Sequence, residues 1–173
     1  MPAPWLDATQ PLIFLVNAAA GRSEPQAQRA LIEDALSQAG RGAEIVLAPP
    51  GGLPALADQA ARKALHQNTA VVAVGGDGTV NTVAQAAHAQ GCAMGVIAQG
   101  TFNYFARTHG IPTDPAQAVL ALLDASIEPV QVATVNGQVF LVNASLGLYP
   151  ELLEDREAYK ARFGRSRWVA IAA

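Results

Sequence analysis

Gly75-Gly76-Asp77-Gly78-Thr79-Val80-Asn81 joins two segments of different hydrophobic period. The apolar, β-branched run Ala70-Val71-Val72-Ala73-Val74 leads into it and reads as a fully buried strand. After it, Val80, Val83, Ala84 and Ala87 recur at i, i+3, i+4 and i+7, so a helix follows. The glycines therefore occupy a strand-to-helix turn. Small residues there let the backbone approach a ligand closely, and a helix start supplies free N–H groups and the positive end of a dipole. Those are the physical requirements of a phosphate cradle. Asp77 stands in its centre. A bare carboxylate among phosphates is repulsive, so Asp77 is expected to hold a cation, a hydroxyl or a ribose, or to accept a proton.

Outward from this turn the same pattern repeats. Leu12 to Val16 reads as another short buried strand, and Glu44 to Ala48 and Met94 to Ala98 read as two further strands. Ser23 with Gln26 fits a capping box, Pro25 suits a first turn, and Ile32, Ala35, Leu36 and Ala39 supply an apolar stripe with Gly40 at the C′ position. Leu53, Leu56, Ala57, Ala60, Ala61, Ala64 and Leu65 mark a second helix. A short helix is expected between Thr101 and Gly110. Asp114-Pro115 reads as an N-cap with proline at N1, opening a helix with Val119, Leu122 and Leu123 on its apolar side. Alternating β and α segments predict an α/β fold of three layers, a mostly parallel sheet with helices on both faces. In such sheets ligands bind beyond the carboxyl ends of the strands. The loops 17–21, 48–52, 75–81 and 99–103 all follow strands and should share that rim.

From Glu128 the character changes. Residues 130–135 and 138–144 read as strands joined by a tight type I′ turn at Asn136-Gly137. This predicts a boundary after residue 127: an α/β domain over 1–127 and the start of a β-rich second domain over 128–173. The tail from Tyr149 reads as helical, and the chain stops inside the apolar run Trp168 to Ala173. It reads as truncated, with an exposed hairpin and tail that predict self-association into homo-oligomers.

Composition excludes several classes. A net charge of −3 without a basic block leaves no electrostatic footprint for nucleic acid. The single cysteine, Cys92, rules out an intrachain disulfide framework. His66, His88 and His109 lack metal-ligand spacing, so no metal set is assigned. The absence of a signal-peptide pattern or of an apolar run of membrane-spanning length predicts a cytoplasmic protein.

The turn is no Walker A loop, since Gly-Lys-Ser/Thr is absent, and Asn81 occupies the third glycine position of a dinucleotide fingerprint. It resembles instead the nucleotide-binding motif of the diacylglycerol kinase catalytic-domain family, which includes bacterial lipid kinases and sphingosine kinases. Asn17-Ala18-Ala19-Ala20-Gly21 resembles that family's first-strand loop. Gln99-Gly100-Thr101-Phe102-Asn103-Tyr104-Phe105-Ala106-Arg107 resembles its Leu-Gly-Thr-x-Asn-x-Phe-Ala-Arg segment, and Asn143-Ala144-Ser145-Leu146-Gly147-Leu148 resembles the opening strand of its second domain. The four motifs come in the family's order and span nearly the whole chain.

The resemblance implies ATP- and magnesium-dependent phosphoryl transfer to a lipid hydroxyl at the inner membrane surface. It places Asn17, Ala18 and Gly21, then Gly75, Gly76, Asp77, Gly78, Thr79 and Asn81, then Gly100, Thr101 and Asn103 along the nucleotide. Asp77 is the implied catalytic residue, through a water-held magnesium or as base for the acceptor; the sequence leaves both open. The chain departs from the family pattern at Thr82 (usually Glu), Ala98-Gln99 (usually Pro-Leu), Ala18 (usually Pro) and Tyr104 (often Asp). Family enzymes are longer, and their second domain supplies further magnesium ligands and an acidic base, so this chain alone is expected to be inactive. Two rival readings remain: an NAD kinase-like enzyme, which shares the Gly-Gly-Asp-Gly-Thr turn, and a nucleotide-binding module without catalysis.

Overall fold

The computed structural model describes residues 6–7, 9–18 and 25–144. In chain order the elements are β1 (Leu12–Asn17), α1 (Pro25–Gln38), β2 (Ala43–Ala48), α2 (Leu53–His66), β3 (Ala70–Gly75), α3 (Asp77–Gln90), β4 (Ala93–Ala98), α4 (Tyr104–Thr108), α5 (Pro115–Leu123), β5 (Ala133–Val135) and β6 (Gln138–Phe140). The first four strands form one parallel sheet in the order β2-β1-β3-β4, and β5-β6 is a separate antiparallel pair. The expected α/β architecture is the observed one.

The central strands β1 and β3 explain the continuous apolar runs, because both of their faces are covered. Leu12 to Val16 and Ala70 to Gly75 are buried throughout, whereas β2 at the sheet edge is mostly half-exposed. Ile13 and Leu15 point to the α2–α3 side, where Val71, Ala73, Val83 and Val96 complete the core. Leu12, Phe14 and Val16 point to the α1–α5 side with Ile32, Leu36, Val72, Val74 and Val119. Burying a side chain such as Phe14 is worth about 1.5–3 kcal/mol relative to leaving it in water.

The α2 stripe differs in one respect from its expectation. Its buried positions are Ala57, Ala60, Ala61 and Ala64, while Leu65 is half exposed. Small residues let α2 lie close against Ala86 and Ala87 of α3, and Leu65 falls outside that narrow contact. On the opposite face, α5 drops Leu122 onto β4: a Cβ built on Gly95 would lie 2.6 Å from Leu122 Cδ1, so a larger residue there would push the Leu122 side chain aside.

Local signals hold where they concern adjacent residues. Gly40 adopts φ +64°, with Arg41 N–H bonded to Leu36 O at 2.9 Å and Gly40 N–H to Ser37 O at 3.1 Å, a Schellman end for α1. Asp114 caps α5 by accepting from Gln117 N–H at 2.9 Å. Asn136 (φ +49°) and Gly137 (φ +76°) form the two-residue turn between β5 and β6.

The chain divides into two compact units, Met1–Val142 and Asn143–Ala173. The β5–β6 hairpin belongs to the first, whereas the sequence reading opens a second domain at residue 128. Gly21, Ser23, the strand from Ser145 and the tail from Tyr149 lie outside the described residues.

Candidate functional site

Parallel register brings the strand ends level. Asn17 is opposite Ala48, Val16 opposite Val74, and Gly75 opposite Ala98. Gly75 closes β3 and Gly76 is the N-cap of α3, with φ −81° and ψ −177°. The helix begins at Asp77, earlier than the apolar periodicity from Val80 indicates. Periodicity reports which side chains are buried, and the first turn of α3 carries a carboxylate and a glycine instead. The first helical bond runs from Val80 N–H to Gly76 O at 3.0 Å. The N–H groups of Asp77, Gly78 and Thr79 thus precede the intrahelical ladder, and no side chain caps Gly76. Gly78 is exposed, and a Cβ added there would meet no atom within 4 Å. This leaves an open approach to the positive end of a 14-residue helix.

A second segment seals the side of this turn. Gln99 N–H donates to Gly75 O at 2.7 Å. A Cβ on Gly100 would lie 2.8 Å from Gly76 Cα and 2.9 Å from Asn103 Oδ1. Backbone meets backbone here, and glycine at 100 is a steric requirement. Asn103 Oδ1 accepts from Gly100 N–H at 2.7 Å, and Asn103 itself is buried in a left-handed conformation (φ +53°) as the residue before α4.

Asp77 ties the two segments together. Its Oδ2 accepts from Asn103 N–H at 3.0 Å and its Oδ1 from Tyr104 N–H at 2.8 Å. The carboxylate thereby satisfies two donors that open α4. Each oxygen retains a further lone-pair direction. Thr79 turns inward: it is 3% exposed, lies directly over Gly75, and its Oγ1 accepts from Asn17 Nδ2 at 3.0 Å. Asn17, Gly75, Gly76, Asp77, Gly78, Thr79, Gly100 and Asn103 therefore converge as one polar rim.

The remaining expected residues lie apart from that convergence. Ala18 is exposed and donates its N–H to Ala48 O at 3.1 Å. Thr101 is exposed on the loop beside the stacked pair Phe102 and Tyr104, whose centroids are 5.3 Å apart. Asn81 is engaged elsewhere: its Nδ2 donates to Val139 O at 3.0 Å and its Oδ1 accepts from Leu141 N–H at 3.2 Å. Thr82 donates back to Gly78 O at 2.9 Å, a contact closed within one turn. Gln85, which the sequence reading passes over, accepts from Val139 N–H at 2.6 Å. Its only signal in sequence is its place four residues after Asn81, on the same helix face.

Among the described residues no group of three or more His, Cys, Asp or Glu could hold a metal ion. A magnesium that arrives with a nucleotide takes most of its ligands from phosphate and water, with one or two carboxylates. Asp77 suits that donor set as a single carboxylate. Arg107 is exposed and enters no ion pair among the described residues.

The family model for the diacylglycerol kinase catalytic domain matches residues 11–135, which contain the whole parallel sheet, the glycine turn and β5. The chain belongs to the diacylglycerol kinase catalytic-domain family. A Pseudomonas aeruginosa protein named "Probable lipid kinase YegS-like" is 47% identical over 79 residues, which are 44% of this chain and 26% of the relative. A Bacillus subtilis protein named diacylglycerol kinase is 38% identical over 95 residues, 53% of this chain and 31% of that one. The solved structure of a diacylglycerol kinase from Bacillus anthracis superposes with a TM-score of 0.63 at 26% identity, covering 76% of this chain and 49% of the other. The matched region is thus less than half the length of each of these proteins. Among the described residues of this family member, no helix is long and apolar enough to cross a membrane.

Proposed function

We propose that this chain is the nucleotide-binding part of a lipid kinase, holding ATP with magnesium so that the γ-phosphoryl group can pass to a lipid hydroxyl at the membrane surface. The observation that carries the reading is the uncapped start of α3, with Gly78 open to solvent and Gly76 pressed against Gly100. The N–H groups of Asp77, Gly78 and Thr79 supply donors for phosphate oxygens at the positive end of the helix. Phosphoryl transfer asks for positioning and charge stabilisation more than for covalent chemistry by the protein. In this reading Asp77 serves twice: it holds the Gly100–Tyr104 segment beside the phosphates, and its free lone pairs face the metal shell or the acceptor hydroxyl. Magnesium, when bound, would neutralise charge developing on the phosphates.

The region matched is a fraction of each relative's length, so we assign nucleotide binding to this chain and place the acidic base and the further magnesium ligands beyond Ala173. Calorimetry with MgATP tests the first part, and the chain is expected to bind. Absence of binding would refute it. Incubation with radiolabelled ATP, magnesium and diacylglycerol micelles tests the second, and this chain alone is expected to label no lipid. Labelled lipid would overturn that division, and label transferred to NAD in a parallel incubation with NAD in place of the micelles would move the acceptor to a dinucleotide.

A further inference from the structure

The face of α3 that begins at the glycine turn carries three polar side chains in line, Asp77, Asn81 and Gln85, spaced i, i+4 and i+8. Each is bonded to the backbone of another element. Asp77 holds the start of α4. Asn81 pairs with Val139 O and Leu141 N–H, as a neighbouring strand would. Gln85 accepts from Val139 N–H at 2.6 Å and donates to Gly137 O at 3.4 Å. The hairpin has little apolar purchase of its own. All of β5 is exposed, Val139 is the buried residue of β6, and Leu141 is half-buried against the α2–α3 core. Four side-chain hydrogen bonds from one helix thus fasten a hairpin that packing alone secures poorly.

We propose that Asn81 and Gln85 are positioning residues that couple the β5–β6 hairpin to occupancy of the glycine turn. The coupling path is short and physical. The turn and the clamp lie on one helix, with Asn81 one helical turn from Asp77. A nucleotide drawing on the N–H groups of Asp77 to Thr79 restrains the same helical segment whose side chains hold the hairpin. A hairpin held in place in turn restrains that segment before a ligand arrives. Linkage then requires the effect to be reciprocal: ligand tightens the clamp, and loss of the clamp weakens the ligand by the same factor. The proposal rests on the nucleotide reading above.

Amide hydrogen exchange by NMR on the ¹⁵N-labelled chain tests it, with and without the magnesium complex of a non-hydrolysable ATP analogue. Without ligand, Asn81→Ala should speed exchange at Leu141 and Gln85→Ala at Val139, each by about 2- to 10-fold, the effect of one net hydrogen bond. With ligand, the unsubstituted protein should gain protection at Val139 and Leu141 as well as at the glycine turn. Both variants should lose the gain at the hairpin and bind the analogue several-fold more weakly. Asn81→Asp keeps an acceptor for Leu141 N–H but sets a carboxylate oxygen against Val139 O in place of the donor, so it should not restore the ligand-induced protection at the hairpin. Protection confined to the turn in the unsubstituted protein would overturn the coupling and leave the nucleotide reading intact. No ligand-induced protection anywhere would overturn both. Faster hairpin exchange in the variants with unchanged analogue affinity would reduce the clamp to a structural contact and refute the proposal.

Discussion

Gly78→Ala separates stability from binding at the glycine turn. The substituted Cβ meets no atom within 4 Å, so it carries no steric cost in the protein. Position 78 lies in the first turn of α3, where alanine is favoured over glycine by up to about 1 kcal/mol. For a chain of this size that raises the melting temperature by about 2–4 °C. Side chains on a helix lean toward its N-terminus, so the new methyl projects toward the space a phosphate would occupy. A charge-assisted hydrogen bond is worth about 1.5–3 kcal/mol, and its loss weakens binding about 10- to 150-fold. Thermal unfolding by circular dichroism reads the first effect, and calorimetry with MgATP reads the second. The expected variant is more stable and binds poorly. Unchanged affinity would refute the placement of phosphate at this helix start. A lower melting temperature would refute the claim that the space beside Gly78 is open.

Gly100→Ala should behave in the opposite way, because its Cβ would lie 2.8 Å from Gly76 Cα and backbone must move; urea unfolding should show a loss of about 1–3 kcal/mol. Asp114→Ala removes the cap that accepts from Gln117 N–H, and a loss of about 1 kcal/mol is expected in the same assay. Burial pushes the Cys92 thiol above its ordinary value, so its thiolate, the reactive form, is scarce near neutral pH and increases only as pH rises through the elevated pKa. Iodoacetamide should therefore modify native Cys92 more slowly than the urea-unfolded chain at pH 8, with the native rate profile displaced to higher pH. Equal rates would show that the thiol is not shielded.

Much of the fold was legible because its determinants are local. The runs at Leu12, Glu44, Ala70 and Met94 announce strands by their apolarity, and their observed limits differ by a single residue at one end. Gly40, Asn136-Gly137 and Asp114-Pro115 act on their immediate neighbours and do as their conformational preferences dictate. The site was legible in part. Its glycines and Asp77 stand out in sequence, but the partners of Asp77 lie 26 and 27 residues away, at Asn103 and Tyr104. The Gly-Gly approach between residues 76 and 100 is likewise a contact across two strands. Asn81 carries no sequence signal that distinguishes a ligand contact from a bond to Val139 and Leu141, 58 and 60 residues downstream.

The alternation of strands and helices, the parallel sheet and the position of the glycine turn at a strand's carboxyl end are all written in chain order. These follow from hydrophobic period and from residues whose backbone preferences act over a few neighbours. What each polar residue of the turn does depends on contacts made by folding. Asp77 fastens α4, Thr79 is turned inward toward Asn17, and Asn81 with Gln85 grips the hairpin. A polar side chain takes its meaning from the donors and acceptors that folding brings within about 3 Å, and chain order does not contain that distance.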